Sequence, residues 1–177
     1  MSIIGIDNGT TGTIGFICGT SYEFLKTPTV KALDYTTSKK QEITRLNTIE
    51  FINLLARFKG EAEKNKEPLI VYMERPLINP LLFKSSITAV RCFEAELVAI
   101  ESLELSYLVI DSKAWQKTLL PPMPAEKDRK KKRLMLKSAS MQVAIKLFPR
   151  EAENIKKHKD GDGLLIARYG KLKEGEK

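Results

Sequence analysis

Apolar positions along the chain change period several times, and each change marks an element. Ile3 to Asp7 (IIGID) is a short apolar run that ends in a carboxylate, which predicts a strand. Thr13 to Cys18 (TIGFIC) and Tyr22 to Leu25 (YEFL) predict two more, joined by Gly-bearing turns at 8–12 and 19–21. Connections that short join antiparallel neighbours, so the first three strands read as a meander. From about Ile43 to Lys59, Phe51, Leu54, Leu55 and Phe58 recur at helical spacing and predict a helix. After Pro68, LIVYM at 69–73 is apolar on both faces, as a buried central strand requires, and it ends at Glu74.

A second helix is predicted over roughly Ser86 to Leu103, with Val90, Phe93, Leu97 and Ile100 inward and Glu94, Glu101 and Glu104 outward. A strand at Ser106–Ile110 follows, then a turn of helix around Lys113–Leu119, and PPMP at 121–124 breaks the chain into a loop. A long helix from about Asp128 to Phe148 sets Leu134, Met141, Ile145 and Phe148 on one face until Pro149 stops it. The last helix begins near Gly161 and turns Leu165, Ile166 and Tyr169 inward. Strands alternating with helices after an antiparallel start predict a three-layer α/β fold. Its mixed five-stranded sheet has the first three strands antiparallel and helices on both faces. No repeat or linker interrupts the 177 residues, so 1–177 reads as one domain, frayed from about 171.

Composition narrows the class. Hydrophobic content of 42% and charged content of 29% suit a soluble globular protein. The start lacks a basic-then-apolar signal and no long apolar span follows, so no membrane role is expected. Cys18 and Cys92 lie far apart in apolar segments, which suits reduced core thiols and a cytoplasmic location. The net charge is +8, and much of the excess is concentrated in Lys127, Arg129, Lys130, Lys131, Lys132, Arg133 and Lys137. Such a block is often only a solvated helix start. With further basic patches at 156–159 and 171–173, it points instead to a polyanion such as nucleic acid.

Two apolar strands end in carboxylates, Asp7 and Glu74. Either alone marks a strand leaving the core. If the strands are neighbours, the acids stand side by side and repel unless a cation joins them. A hard divalent ion such as Mg2+ takes such oxygen ligands. A third acidic segment, KKHKDGDGLLIARYG at 156–170, carries Asp160 and Asp162 at the head of a helix, where one of them also suits an N-cap. Carboxylates from three distant segments of a basic protein suggest a two-metal nuclease centre.

The chain resembles the RuvC family of Holliday junction resolvases, in particular its compact phage-type members, within the RNase H-like superfamily. The likeness runs nearly end to end through IGIDNGTTGTIGFI, VYMERP, DSKAWQKTLLP, KSASMQVAIKLFP and DGDGLLIARYG, in the family's order. The resemblance implies Asp7, Glu74 and Asp162 as metal-binding catalytic acids, Mg2+ or Mn2+, a homodimer, and paired nicks in branched DNA. It also implies action in the cytoplasm of a bacterial host if the gene belongs to a phage. The family carries a further acid or His three or four residues before the final Asp. Here Lys159 and His158 hold those places and Asp160 stands only two before, so the fourth group is Asp160 first and His158 second. Gly161 and Gly163 replace the alanines that flank this Asp in the family.

DNGTTG at 7–12 also resembles the first phosphate motif of the sugar-kinase, actin and Hsp70 superfamily. Those proteins close two such domains on a nucleotide, and 177 residues suit one. Lys113, Lys117 and the 127–137 block are the candidate DNA contacts. Phe83 is a candidate wedge against junction bases, or a partly buried loop residue. Three functions follow: a structure-selective Mg2+-dependent endodeoxyribonuclease that resolves Holliday junctions and other branched DNA, a branched-DNA-binding protein without nuclease activity, or an RNase H-type nuclease on another nucleic acid.

Overall fold

A computed structural model of the chain describes residues 1–34, 38 and 40–175, apart from the side chain of Arg129. Strands β1 (Ser2–Ile6), β2 (Thr13–Cys18) and β3 (Ser21–Lys26) form the antiparallel meander. Strand β6 (Leu69–Glu74) lies parallel to β1 on its other side, and β7 (Ser106–Ile110) lies parallel to β6 at the edge. The five-stranded order is therefore β3-β2-β1-β6-β7. Helices cover both faces. One face buries Ile4, Ile6, Phe16 and Val71 against Phe51, Leu55 and Phe58 of α1 (Thr48–Lys64) and Cys92, Ala99 and Ile100 of α2 (Phe83–Ser102). The other buries Ile3, Ile17, Phe24 and Tyr72 against Trp115 of α3 (Ser112–Leu119), Ala144 of α4 (Arg129–Leu147), Ile155 of α5 (Ala152–His158) and Leu164–Ala167 of α6 (Asp162–Gly175). The architecture is the three-layer α/β fold that the sequence pattern predicts.

Glycine sets the closest contact. Gly5 and Gly15 are cross-strand partners, and α6 lies directly over them. A Cβ on Gly5 would fall 2.2 Å from the Gly163 carbonyl oxygen, and one on Gly15 would fall 2.5 Å from Leu164 Cα. Without side chains at these positions the helix backbone rests on the sheet itself. That contact fixes where α6 begins relative to the end of β1.

The structure corrects several expectations. Residues 42–46 are not helical: they form β5 (Glu42–Leu46), which pairs with β4 (Thr29–Leu33) in a separate two-stranded sheet. The helix starts at Thr48, where the Asn47 side chain accepts from the Glu50 amide. Helix α2 begins at Phe83, after a 3-10 turn at Pro80–Leu82, so Phe83 and Lys84 are helical rather than loop residues. Leu134 is 58% exposed, because the first turns of α4 stand clear of the core. Residues 152–158, left unassigned by periodicity, form α5. Helix α6 is buried through Gly163–Ala167 rather than along one stripe, and it continues to Gly175 instead of fraying at 171; Glu176 and Lys177 lie outside the described residues. Both cysteines are buried and unbridged. Among the described residues, no helix is long and apolar enough to cross a membrane.

Candidate active site

Asp7 follows the last residue of β1 and Glu74 ends β6, and because these strands are parallel with Ile6 opposite Met73, the two acids leave the sheet side by side. Asp160 and Asp162 arrive from the opposite layer at the head of α6. Asp7, Asp160 and Asp162 each offer a carboxylate oxygen, and these oxygens lie within 4.8 Å of one another. Glu74 stands beside this triad and is coupled to it electrostatically without being one of the close three.

Each acid is held by the chain around it. The Asp7 amide donates to the Thr13 carbonyl at 2.9 Å, closing the base of the β1–β2 turn. Glu74 Oε2 accepts the indole N–H of buried Trp115 at 2.8 Å. Asp111 caps α3 by accepting from the Lys113 amide at 2.8 Å, and so fixes the helix that carries the indole. Asp160 Oδ1 accepts from Thr13 Oγ1 at 3.1 Å and from the Asp162 amide at 2.9 Å. The same Thr13 hydroxyl accepts from the Gly163 amide at 3.1 Å, which ties β2 to the start of α6. Ser140 of α4 donates to Asp162 Oδ1. Asp160 thus caps the helix and faces the other acids at once.

Crowding shows in the acidities. Burial pushes Asp7 well above the usual carboxylate range, and the charges of Asp160, Asp162, Glu74 and Glu96 push it further. Burial and the neighbouring Asp160 raise Asp162 to about 7. Glu74 is raised chiefly by burial, partly offset by the Trp115 hydrogen bond. Hard oxygen donors crowded until they resist ionisation fit a divalent cation such as Mg2+ or Mn2+.

The other candidates fall in four places. His158 does not join the acids: it is exposed at the end of α5, its ring 5.9 Å from Phe24. Lys159 then takes a left-handed conformation (φ 53°) that ends α5 and sends the chain on to Asp160. Lys113 and Lys117 are exposed on α3. Lys127 precedes α4, and Lys130, Lys131, Lys132, Arg133 and Lys137 are exposed along it, while the side chain of Arg129 lies outside the described residues. Lys137 reaches back to Asp160 Oδ2 at 3.7 Å, joining the basic helix to the acids. Phe83 is 69% exposed, so it is not partly buried; it closes a loop that also exposes Leu77, Ile78, Leu81 and Leu82. This loop borders a cavity of about 240 Å³ that Glu74 and Asn8 also line.

Sequence reasoning missed Trp115, Ser140 and Thr13. Ser140 carried a signal, since it shares the i, i+4 face of Ala144 and Phe148 and is buried with them.

No protein-family model and no curated protein sequence matches this chain. Comparison with solved structures finds RuvC structures among the matches. T. thermophilus RuvC in complex with Holliday junction substrate shares 14% identity at a TM-score of 0.53, over 96% of this chain and 91% of that one. A second Thermus thermophilus RuvC structure shares 16% identity at a TM-score of 0.42, over 96% of this chain and 92% of that one. The mixed sheet with its leading antiparallel meander gives this chain an α/β fold of the RNase H-like kind. Its particular form of that fold is the RuvC-like one.

Proposed function

We propose that residues 1–177 act as one nuclease domain, a metal-dependent endodeoxyribonuclease that resolves Holliday junctions and related branched DNA by paired nicking. The observation that carries this reading is the convergence of Asp7, Asp160 and Asp162, with Glu74 beside them, below an exposed basic helix. The fold neighbour bound to a Holliday junction supports the choice of substrate.

Asp7, Asp160 and Asp162 would hold divalent ions, with Glu74 completing the set. Such ions, Mg2+ or Mn2+, supply Lewis-acid stabilisation of phosphate charge and a water of lowered pKa. Hydrolysis joins a water oxygen to phosphorus and breaks the bond to the 3′ oxygen, leaving a 5′-phosphate and a 3′-hydroxyl. Trp115 keeps Glu74 in one orientation, and Thr13 and Ser140 do the same for Asp160 and Asp162. Lys130, Lys131, Lys132 and Arg133 would hold backbone phosphates, with Arg129, Lys127, Lys113 and Lys117 extending the track. Such contacts fix register without reading sequence. The exposed segment 77–83, ending on the first residue of α2, offers apolar side chains to unstacked bases at the branch.

Two symmetric nicks need two sites related by a two-fold axis, which an isologous homodimer supplies. The outer side of α2, where Val98 is 60% exposed, and the apolar edge strand β7 next to it are the candidate interface. Buried, unbridged cysteines suit the reducing cytoplasm of a bacterial host, as for a phage-encoded enzyme.

The test compares cleavage of a four-way junction, a flap, a linear duplex and an RNA/DNA hybrid, each with Mg2+ and with EDTA. Metal-dependent paired nicks in the junction are expected. Tight junction binding with no cleavage in any metal would leave a binding protein, and preferential hybrid cleavage would make it an RNase H-type enzyme.

A further inference from the structure

The parallel pairing that sets Asp7 beside Glu74 also brings together the residues that follow them. Ile6 lies opposite Met73, and one step beyond the two acids Asn8 and Arg75 line the same cavity of about 240 Å³, which Glu74 borders. Side chains alternate between the two faces of a sheet. The acids follow the face that α6 covers, whereas Asn8 turns to the other, where its Nδ2 donates to the Ala89 carbonyl of α2 at 3.4 Å.

The cavity is a built feature. Pro76, Leu77, Leu82 and Ala89 give it apolar walls. The Asn79 amide donates to Ser86 Oγ at 2.9 Å, and that hydroxyl donates to the Asn79 carbonyl at 3.0 Å, so the segment after β6 is tied to the first turn of α2. Leu77 and Leu82 are 85% and 57% exposed, which leaves an apolar rim facing solvent. The volume lies just under the roughly 300 Å³ at which pockets begin to hold drug-sized ligands, and so suits one planar heterocycle. Asn8 Oδ1 is buried without a hydrogen-bond partner, an acceptor that the N–H of such a ring can satisfy.

Arg75 supplies the charge. It is the one cation among the described residues that line the cavity. Its amide donates to the Ile110 carbonyl at 3.0 Å, so the sheet holds its backbone. Its side chain, 65% exposed, donates from Nη2 to Asp111 Oδ2. An exposed pair of this kind adds little stability, and it occupies one corner of a five-donor fork whose geometry matches phosphate.

We propose that Arg75 and this cavity form a nucleotide subsite beside the acidic centre. The guanidinium takes the phosphate adjoining the scissile one, and the cavity takes the base attached to it, extruded from the stack. Extrusion costs least where bases are already unpaired, as at a branch. The place of the subsite relative to the cut rests on the metal-nuclease reading; its capacity to take a nucleotide does not. A gap merely left beneath residues 76–82 would take neither phosphate nor base.

The experiment uses the full chain as wild type, Arg75→Gln, Arg75→Lys, Ala89→Met and Ser85→Met, the last two placing bulk in the cavity while keeping every charge. Four-way junctions carry 2-aminopurine, a base whose emission rises when it unstacks, at each position about the branch in turn. Emission and affinity at several salt concentrations are read in EDTA, and cleavage in Mg2+. At one position the wild type is expected to raise emission several-fold, and the methionine variants should lose most of that rise. Arg75→Gln should lower the slope of log K against log salt by about one, while Arg75→Lys keeps it. Cleavage should fall about 10- to 100-fold in Arg75→Gln and in the methionine variants, as for a misplaced strand. The proposal is overturned by undiminished emission in a folded methionine variant, by an unchanged slope in Arg75→Gln, or by no rise at any position in the wild type. Should both methionine variants unfold, emission and slope in Arg75→Gln, altered at an exposed side chain, decide alone. If the wild type binds the junction but cuts it in no metal, the nuclease reading fails while emission and slope still decide the subsite. A wild type that binds no DNA overturns both.

Discussion

The indole N–H of Trp115 donates to Oε2 of Glu74 at 2.8 Å, joining the first helix after β7 to the end of the central strand β6. Trp115 is 1% exposed, so the contact is made from within the core, and only one edge of the ring is polar. Trp115→Phe keeps an aromatic ring and deletes the donor. We expect cleavage of a four-way junction to fall about 10- to 100-fold while junction affinity stays within about twofold, as for other groups that orient a ligand. Single-turnover kinetics beside a binding titration measure this. Wild-type rates in Trp115→Phe would show that Glu74 needs no such support.

The acids and the histidine are separable. Asp7→Asn, Glu74→Gln and Asp162→Asn should each abolish Mg2+-dependent cleavage and leave junction binding equal or tighter, because on the proposed function each removes a negative charge that would hold metal and face phosphate. Asp160→Asn should be nearly as damaging. His158→Ala should cut at close to the wild-type rate, since its ring lies against Phe24 and not among the acids. A dead His158→Ala beside an active Asp160→Asn would reverse this assignment.

The basic helix makes a prediction in salt. Reversing Lys130, Lys131 and Lys132 to Glu should weaken binding to every DNA tested. It should also lower the slope of log K against log salt by up to about three, roughly one unit for each lost phosphate contact. Fluorescence anisotropy at several salt concentrations measures it. An unchanged slope would mean that these side chains face only solvent.

Without metal, stability should fall as pH rises from about 4 to 8. Glu96 at about 8 and Asp162 at about 7 stand above ordinary values of 4.5 and 3.8, and Asp7 and Glu74 are raised in the same direction. In that window the folded state holds protons that the unfolded state has already lost. The stabilisation is therefore complete below the unfolded values and disappears as pH climbs through the folded ones. Mn2+ should raise the melting temperature more at pH 8 than at pH 5. Thermal melts at both values, with and without metal, check both signs.

Two glycine-to-alanine changes should diverge. At Gly163 a Cβ would fall 2.6 Å from the Thr13 carbonyl oxygen, so Gly163→Ala must push α6 off the sheet, costing about 1–3 kcal/mol and displacing Asp162. At Gly60, within α1, nothing lies within 4 Å, and Gly60→Ala should stabilise by about 0.5–1 kcal/mol through helix propensity. Chemical denaturation of the two variants tests the contrast.

Much of this was legible in the chain. Apolar runs that stop at Asp7 and Glu74 define central strands and place an acid at the end of each, because a strand apolar on both faces must be covered by both layers. Short Gly turns dictate the meander, and Pro149 ends the basic helix. The β4–β5 hairpin was not legible, since its strands are partly exposed and rich in charge, and Ile43 and Leu46 fall in step with the helix that follows. A boundary signal was present in Asn47 and Glu50, the N-cap and the acid three residues later. Tertiary structure alone decided which groups meet. Whether Asp160 or His158 faces Asp7 depends on the left-handed Lys159 and on how closely α6 can lie on Gly5 and Gly15. Trp115 and Ser140 act on residues 41 and 22 positions away along the chain, and no local pattern encodes a contact made by packing one layer against another. Apolar runs and turn residues encode the five central strands and the acids at their ends, whereas the meeting of those acids follows from how closely α6 packs on the sheet.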